Sequence, residues 1–395
     1  MVTDPLLLNI RHLRAMTEVA RRGRLGVAAE QIGMTQPALT SAIAGLERSL
    51  GNLFVRTREG MRPNEAAILL SERVGEAYRH LAAALRPTGQ RPRGFSQPEN
   101  LVTTSQIRAL LALAGRGSFV AAAQATALSQ PALHRAVRDI ERLTGVPMVE
   151  RRGRGVALTD AGRKAARGFR LGLGALRAGL IEIAALEQPS PSDRLVIGAM
   201  PLCRARMLPN AIAAVQAGYP NTHVTIIEGA HRELIEQLRD GHIDMAIGAL
   251  RVPSPGDDLV QHPLIEDHLV IVSRGGHPLA APDLPSKTEL ARYPWLVGLP
   301  GSPLRDHWDR MFDGPDRPIA MVDCGSVMVL RALLIASDCL TLLSPEQVGL
   351  ELSTGMLATV GQPLDAHVRT IGVTTRKDWR PTTAQRAMLT ALQGT

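Results

Sequence analysis

The front half of this chain repeats itself. Displaced by 94 residues, positions 14–56 fall on 108–150, with Arg14/Arg108, Arg22/Arg116, Gly23/Gly117, Ala28/Ala122, Ala29/Ala123, Glu47/Glu141 and Gly51/Gly145 identical. Gln36-Pro37-Ala38-Leu39 returns whole as Gln130-Pro131-Ala132-Leu133, and after one extra residue Asn64-Glu65-Ala66 matches Thr159-Asp160-Ala161. Two copies are too few for a solenoid, whose units bury their faces only against neighbours. Each copy must therefore be a small domain with a core of its own.

Within a copy the apolar spacing is helical. Ile10, Leu13 and Ala20 form a stripe that stops at Gly23, and Val27, Ala28 and Ile32 make a short second helix. Gly33-Met34-Thr35 is a tight turn. Thr35 is a good N-cap, and Pro37 sits in the first helical turn, where a missing N–H does no harm. Leu39, Ile43, Leu46 and Leu50 then recur until Gly51 ends the helix. The second copy does the same with Ser129, Pro131, Leu133, Val137, Ile140 and Leu143. Two short helices on a three-residue turn, the second capped and polar on one face, form a helix-turn-helix sized for a major groove about 12 Å wide. The alternative is a helical hairpin with no role on DNA. After each pair comes a basic, Gly-turned stretch, residues 54–62 and 148–156, that reads as a two-stranded wing.

These residues resemble the LysR-type transcriptional regulators. The resemblance is carried by Gly117-Ser118-Phe119-Val120-Ala121-Ala122-Ala123, by Ser129-Gln130-Pro131-Ala132-Leu133 and by Leu158-Thr159-Asp160-Ala161-Gly162. From about residue 104 it runs to the end of the chain. It implies a winged helix-turn-helix domain, a long dimerising helix and a two-lobed α/β effector domain like the type 2 periplasmic solute-binding proteins. The extra copy in front departs from that pattern, since members normally carry one. The expected divisions are a first winged helix-turn-helix at 8–64, a linker helix at 65–85, a flexible linker at 86–100 and a second winged helix-turn-helix at 102–159. A dimerisation helix at 160–187 and an effector domain at 193–395 follow, with lobe one at 193–270 plus 368–395 and lobe two at 271–367.

Arginine dominates the basic residues; only Lys164, Lys287 and Lys377 are lysine. Residues 1–190 carry 27 Lys+Arg against 15 Asp+Glu, and residues 191–395 carry 18 against 22, so a net charge of +8 hides a basic front and a mildly acidic back. That asymmetry suits a polyanion-binding module joined to something else, although Arg-rich codon usage also contributes. The expected DNA contacts are Thr35, Gln36, Pro37, Thr40, Ser41, Arg56 and Arg58 in the first copy. In the second they are Ser129, Gln130, Pro131, His134, Arg135, Arg138, Arg151, Arg152 and Arg154. The heads differ, because Ser41 and Ala44 stand where the second copy has Arg135 and Arg138. An Arg–guanine fork contributes roughly 1–3 kcal/mol of discrimination, so the second copy is expected to do most of the reading.

Phe169, Leu173, Leu176, Leu180 and Ile183 recur at coiled-coil spacing. The resemblance implies that this seam pairs two protomers; packing within one chain is the alternative. Ala67, Leu70, Val74, Ala77, Leu81 and Ala84 repeat the spacing with smaller residues. Residues 86–100 are rich in Pro, Gly and Arg and read as an exposed linker.

From residue 193 strands alternate with helices: 195–199, 207–217, 224–228, 233–239 and 244–248 form a βαβαβ unit with a parallel sheet. Segments 269–273 and 369–374 are expected to cross between the lobes. By position in the family pattern, an effector cleft would be lined by Leu202, Cys203, Arg204, His231, Gly301, Ser302, Cys324 and Ser326. Arg204 could meet an effector carboxylate or simply face solvent.

No Gly-x-Ser-x-Gly, Walker loop, His-Glu-x-x-His or dinucleotide fingerprint occurs, so an enzyme is not expected. No cofactor or metal site is implied by the three scattered cysteines or the 11 histidines. Lacking a leader and any membrane-length apolar run, the chain is expected in the cytoplasm. The expected partners are an operator duplex, a small-molecule effector such as a sugar or an aromatic or other organic acid, RNA polymerase if the protein activates, and further copies in a homodimer or homotetramer. A ligand-independent architectural DNA-binding protein is the competing reading.

Overall fold

The computed structural model describes residues 4–58, 60–86, 95–126, 128–153, 155–188, 191–314 and 317–394, with the backbone only at 202, 204, 303 and 365–367. The first repeat begins with α1 (Ile10–Arg22), entered through Asn9, whose side chain accepts from Arg11 N–H at 3.0 Å. α2 (Leu25–Ile32) and α3 (Gln36–Leu50) follow, then an antiparallel hairpin of β1 (Phe54–Thr57) and β2 (Gly60–Pro63), then α4 (Glu65–Leu85). The second repeat has the same order: α5 (Thr104–Arg116), α6 (Phe119–Thr126), α7 (Gln130–Thr144), β3 (Val149–Arg152), β4 (Gly155–Leu158) and α8 (Asp160–Ala185).

The identical pairs of the repeat have structural work to do. Glu47 accepts the N–H groups of Leu53 and Phe54 at 3.1 and 3.2 Å, and Glu141 accepts Met148 N–H at 2.8 Å, so each carboxylate fixes where its wing leaves the helix. Gly23 and Gly117 end α1 and α5 in the left-handed region, and their carbonyls accept from Met61 at 2.7 Å and Val156 at 3.0 Å. Each wing is thereby hydrogen-bonded to the helix behind it. A Cβ at Gly60 would stand 2.1 Å from the Gly23 oxygen, so that approach requires glycine.

α8 does not offer its seam to a second chain. Phe169, Leu176, Leu180 and Ile183 are buried in one hydrophobic core that runs through both repeats and includes Leu70, Val74, Ala77 and Leu81 of α4. The two helices lie antiparallel and very close. Gly168 backs onto Ala84 and the His80 carbonyl, Gly172 onto Ala77 and Leu81, and Gly179 onto Leu70 and Arg73. The expectation that this seam pairs two protomers is thus corrected: the small residues of α4 admit α8 of the same chain. The 86–100 linker also needs correction in part. Residues 87–94 lie outside the described residues, but Pro98–Asn100 is a 3-10 turn in which Pro98 and Glu99 are buried and Arg86 pairs with Glu99.

The back half is built on an eight-stranded mixed sheet. β5 (Asp193–Ala199), α9 (Met207–Gly218), β6 (Thr222–Glu228), α10 (His231–Arg239) and β7 (Met245–Ala249) form the parallel βαβαβ unit. The long β8 (Leu259–Arg274) leads to α11 (Lys287–Leu290), β9 (Trp295–Val297), α12 (Pro303–Met311), β10 (Ala320–Asp323), α13 (Val327–Ala336), β11 (Leu340–Leu343) and α14 (Gly349–Ser353). β12 (Leu357–Arg376) and α15 (Thr383–Gln393) finish the chain. The strand order is β10-β9-β11-β8-β12-β7-β5-β6. β8 and β12 pair antiparallel along their lengths and run through both lobes. Apolar side chains pack on both faces at either end, around Leu195, Ile197 and Met388 in one lobe and around Trp295, Trp308 and Phe312 in the other. The chain is thus multidomain: two winged helix-turn-helix domains with their linker helices, then a two-lobed α/β domain.

Candidate DNA-reading face and effector cleft

α3 and α7 each bury one side and present the other. α3 turns Leu39, Ala42, Ile43 and Leu46 inward; Thr35, Gln36, Pro37, Thr40 and Ser41 are exposed. The Thr35 hydroxyl accepts from Ala38 N–H, and the Thr40 hydroxyl donates to the Gln36 carbonyl at 3.0 Å. α7 buries Leu133, Val137 and Ile140 and exposes Gln130, Pro131, Arg135 and Arg138, with the capping Ser129 also exposed at its start. Arg135 and Arg138 stand three apart and so share a face.

The charges on this surface divide into two kinds. Arg21 pairs with Glu18 at 2.7 Å and Arg142 with Asp139, whereas Arg11 and Arg116, away from the reading faces, are exposed with no carboxylate partner among the described residues. Arg135 and Arg138, with Arg56, Arg58, Arg151 and Arg152 on the wings, lie at the surface and have no carboxylate or carbonyl partner among the described residues. Unpaired guanidiniums at an exposed surface are what phosphates and guanine edges require. Arg154 lies outside the described residues. The His134 ring stacks on Phe119 of α6 at 3.7 Å between centroids. It braces the reading helix against its partner. That contact was open to the sequence, since both copies keep small residues where α6 and α7 meet but only the second has an aromatic pair.

The α/β half offers a cleft between lobes. Arg206, the residue before α9, reaches across to Glu346 in the turn Pro345–Gln347, with Nε 2.9 Å from the carboxylate. Behind it, Asp267 on β8 is 3% exposed and accepts from Ser344 and from Arg369 Nε at 2.6 Å. A cavity of about 540 Å³ beside these crossing strands is lined by Glu266, His268, Pro345, Glu346 and Gln362 among others. These contacts were not visible in the sequence, because their partners stand 77 to 140 positions apart.

The expected effector residues are scattered among several roles. His231 opens α10; burial, then the nearby Arg251, holds its imidazole below the usual value, and its buried Nε2 has no partner among the described residues. Ser302 caps α12, its hydroxyl accepting from Arg305 N–H at 3.3 Å, beside Gly301 in the left-handed region. Cys324 is half-buried and its Sγ accepts from Ser326 N–H at 3.3 Å; Ser326 is exposed at the start of α13. Cys203 is a correction: it is 2% exposed and packs in the lobe-one core with Leu195 and Met207, because a thiol between apolar neighbours behaves as a small hydrophobe. Leu202 and Arg204 have no described side chains. Among the described residues no cluster of three His, Cys, Asp or Glu suits a metal ion, and no helix is long and apolar enough to cross a membrane.

Paired reading helices with wings, joined to a two-lobed α/β domain, define a DNA-binding regulator with a ligand-binding half. The comparisons with known proteins agree. Residues 10–68 and 104–163 both match the family of bacterial regulatory helix-turn-helix proteins of the lysR type, and residues 188–395 match the LysR substrate binding domain. The chain belongs to the LysR family of DNA-binding transcription regulators. It is 31% identical to the HTH-type transcriptional regulator GalR of Pseudomonas putida, over 99% of this chain and 98% of that protein. It is 27% identical to the regulator PcaQ of Agrobacterium fabrum, over 73% of this chain and 93% of that one. A full-length single-residue variant of OxyR from Pseudomonas aeruginosa shares the fold with a TM-score of 0.57 and 21% identity, over 73% of this chain and 94% of that one.

Proposed function

We propose that this regulator reads an operator duplex with both winged helix-turn-helix units and is controlled by a small molecule held between its two α/β lobes. The unpaired arginines of α7 and of the wings carry the DNA part. Gln130, Arg135 and Arg138 read bases; Thr35, Gln36, Thr40 and Ser41 of α3 add weaker contacts, and Arg56, Arg58, Arg151 and Arg152 hold phosphates. This reading keeps winged helix-turn-helix units at 8–64 and 102–159 and an effector domain at 193–395, with 65–85 and 160–187 as linker helices that pack on each other. An effector with a hydrogen-bond acceptor, a sugar or an aromatic or other organic acid, suits the buried, unpartnered His231 Nε2. The Arg206–Glu346 contact across the lobes would respond to it.

Such a protein works in the cytoplasm without catalysis or cofactor and meets RNA polymerase if it activates. Assembly into a homodimer or homotetramer would use surfaces other than the α8 seam. The test is a titration of the full-length chain with promoter duplex at rising salt. Several neutralised phosphates make log affinity fall steeply and linearly with log salt. Absence of duplex binding at low salt overturns the reading.

A further inference from the structure

We infer that one chain is by itself a complete two-headed reader of an asymmetric DNA site. Its repeats pack on each other about a local two-fold axis, so a single chain grips two unlike half-sites. This rests on the reading that both helix-turn-helix units engage duplex DNA.

The axis is visible in which residues touch. Around a two-fold axis contacts are reciprocal, and a residue meets its own counterpart only beside the axis. Ile10 and Thr104 are counterparts, 94 positions apart, and they meet: the Thr104 hydroxyl accepts Ile10 N–H at 3.3 Å and donates to the Leu8 carbonyl at 2.8 Å. Past the one-residue insertion the offset becomes 95. Ala77 and Gly172 are then counterparts, and a Cβ at Gly172 would lie 3.3 Å from the Ala77 oxygen. Gly168 lies against Ala84; their counterparts are Arg73 and Gly179, and those two are also in contact. The flanking turns obey the same exchange, with Pro5–Leu7 packed on α8 and Pro98–Asn100 packed on α4.

This pairing consumes both helix seams. The core is continuous from Leu13 of the first repeat to Leu180 of α8, so neither linker helix keeps an apolar face for the same pairing with another chain. The heads so joined are unequal, with Ser41 and Ala44 on one reading face and Arg135 and Arg138 on the other. A site read this way has two different halves. A symmetric pair of identical heads reads a palindrome instead.

The test selects duplexes from a randomised pool with the full-length chain and measures chains per selected duplex by sedimentation. The expected consensus has two unlike half-sites, with one chain on each pair. Selection with Arg135→Ala/Arg138→Ala, both exposed positions, is expected to erase information from one half and leave the other in register. A palindromic consensus, two chains on each pair of half-sites, or loss of both halves in the variant overturns the inference while leaving DNA reading intact. Enrichment of no duplex overturns DNA reading itself, and the inference with it.

Discussion

The Arg73 guanidinium of α4 grips the Glu182 carboxylate of α8, its Nε lying 3.1 and 3.0 Å from the two oxygens. Its Nη1 donates to Glu76 at 3.1 Å and to the Arg380 carbonyl at 3.0 Å. One side chain, 1% exposed, therefore ties both linker helices to the C-terminal part of the effector domain. The neighbouring Arg380–Glu72 pair, at 2.8 Å, is about half exposed on each side and belongs to a class that contributes roughly 0–1 kcal/mol. The buried node is thus the stronger candidate for holding the two halves in register.

Removing one member of that node should leave a buried charge uncompensated. Arg73→Ala is expected to destabilise the fold by about 3–5 kcal/mol in urea. The triple change Arg73→Met, Glu76→Leu and Glu182→Leu is expected to recover most of it, because the three charges of the node then leave together. A single variant as stable as the parent would remove the node from the account of the helix pair.

Two glycines of α8 should respond to alanine with opposite signs. A Cβ at Gly168 would fall 2.3 Å from Ala84 Cβ and 2.8 Å from the His80 carbonyl, atoms that cannot swing away. Gly168→Ala is expected to destabilise by about 1–3 kcal/mol through overpacking. Gly174 has nothing within 4 Å, so Gly174→Ala should stabilise by about 0.5–1 kcal/mol through helix propensity alone. Thermal melts of the two variants check this; the same sign for both contradicts the close helix approach.

His277 gives stability a pH dependence of known sign. It is 3% exposed; its Nδ1 accepts from Leu279 N–H at 3.0 Å, and its Nε2 faces the Asp338 carbonyl at 3.3 Å. That geometry holds a neutral ring, and burial pushes its pKa below the ordinary 6.5 against the pull of Asp338. Below pH 6.5 the unfolded chain binds more protons than the folded one, so stability falls as pH drops through 6.5 toward the folded value. Denaturant midpoints at about pH 7.5, 6.5 and 5.5 should decline in that order, and His277→Gln should flatten the slope.

The reading helices are expected to be unequal on DNA. On the parent's own promoter, Arg135→Ala should weaken specific binding by roughly 1–3 kcal/mol, the worth of one guanine fork. Ser41→Ala should weaken it less. Gel shifts at one fixed salt concentration compare the two, and a larger loss from Ser41→Ala contradicts the assignment.

Local order was legible where chemistry is local. Thr35 with Pro37 and Ser129 with Pro131 mark helix starts by capping, Gly23 and Gly117 mark helix ends, and the βαβαβ run from Leu195 announces a parallel sheet. What the sequence hid was choice of partner. The stripe Phe169–Leu176–Leu180–Ile183 says that α8 needs a partner, not which one. The signal was there in the small residues Ala77 and Ala84 and in Gly168, Gly172 and Gly179, which together admit close helix packing. Cys203 was misplaced because burial depends on which way a loop turns.

The most direct test of the duplicated reading heads is a hydroxyl-radical footprint of the full-length chain on its own promoter, beside Arg135→Ala/Arg138→Ala. Two protected stretches on one face of the duplex, set one turn of about 10–10.5 bp or a multiple apart, are expected, with the variant losing one of them. A single protected stretch from the parent chain, or no protection at low salt, contradicts it.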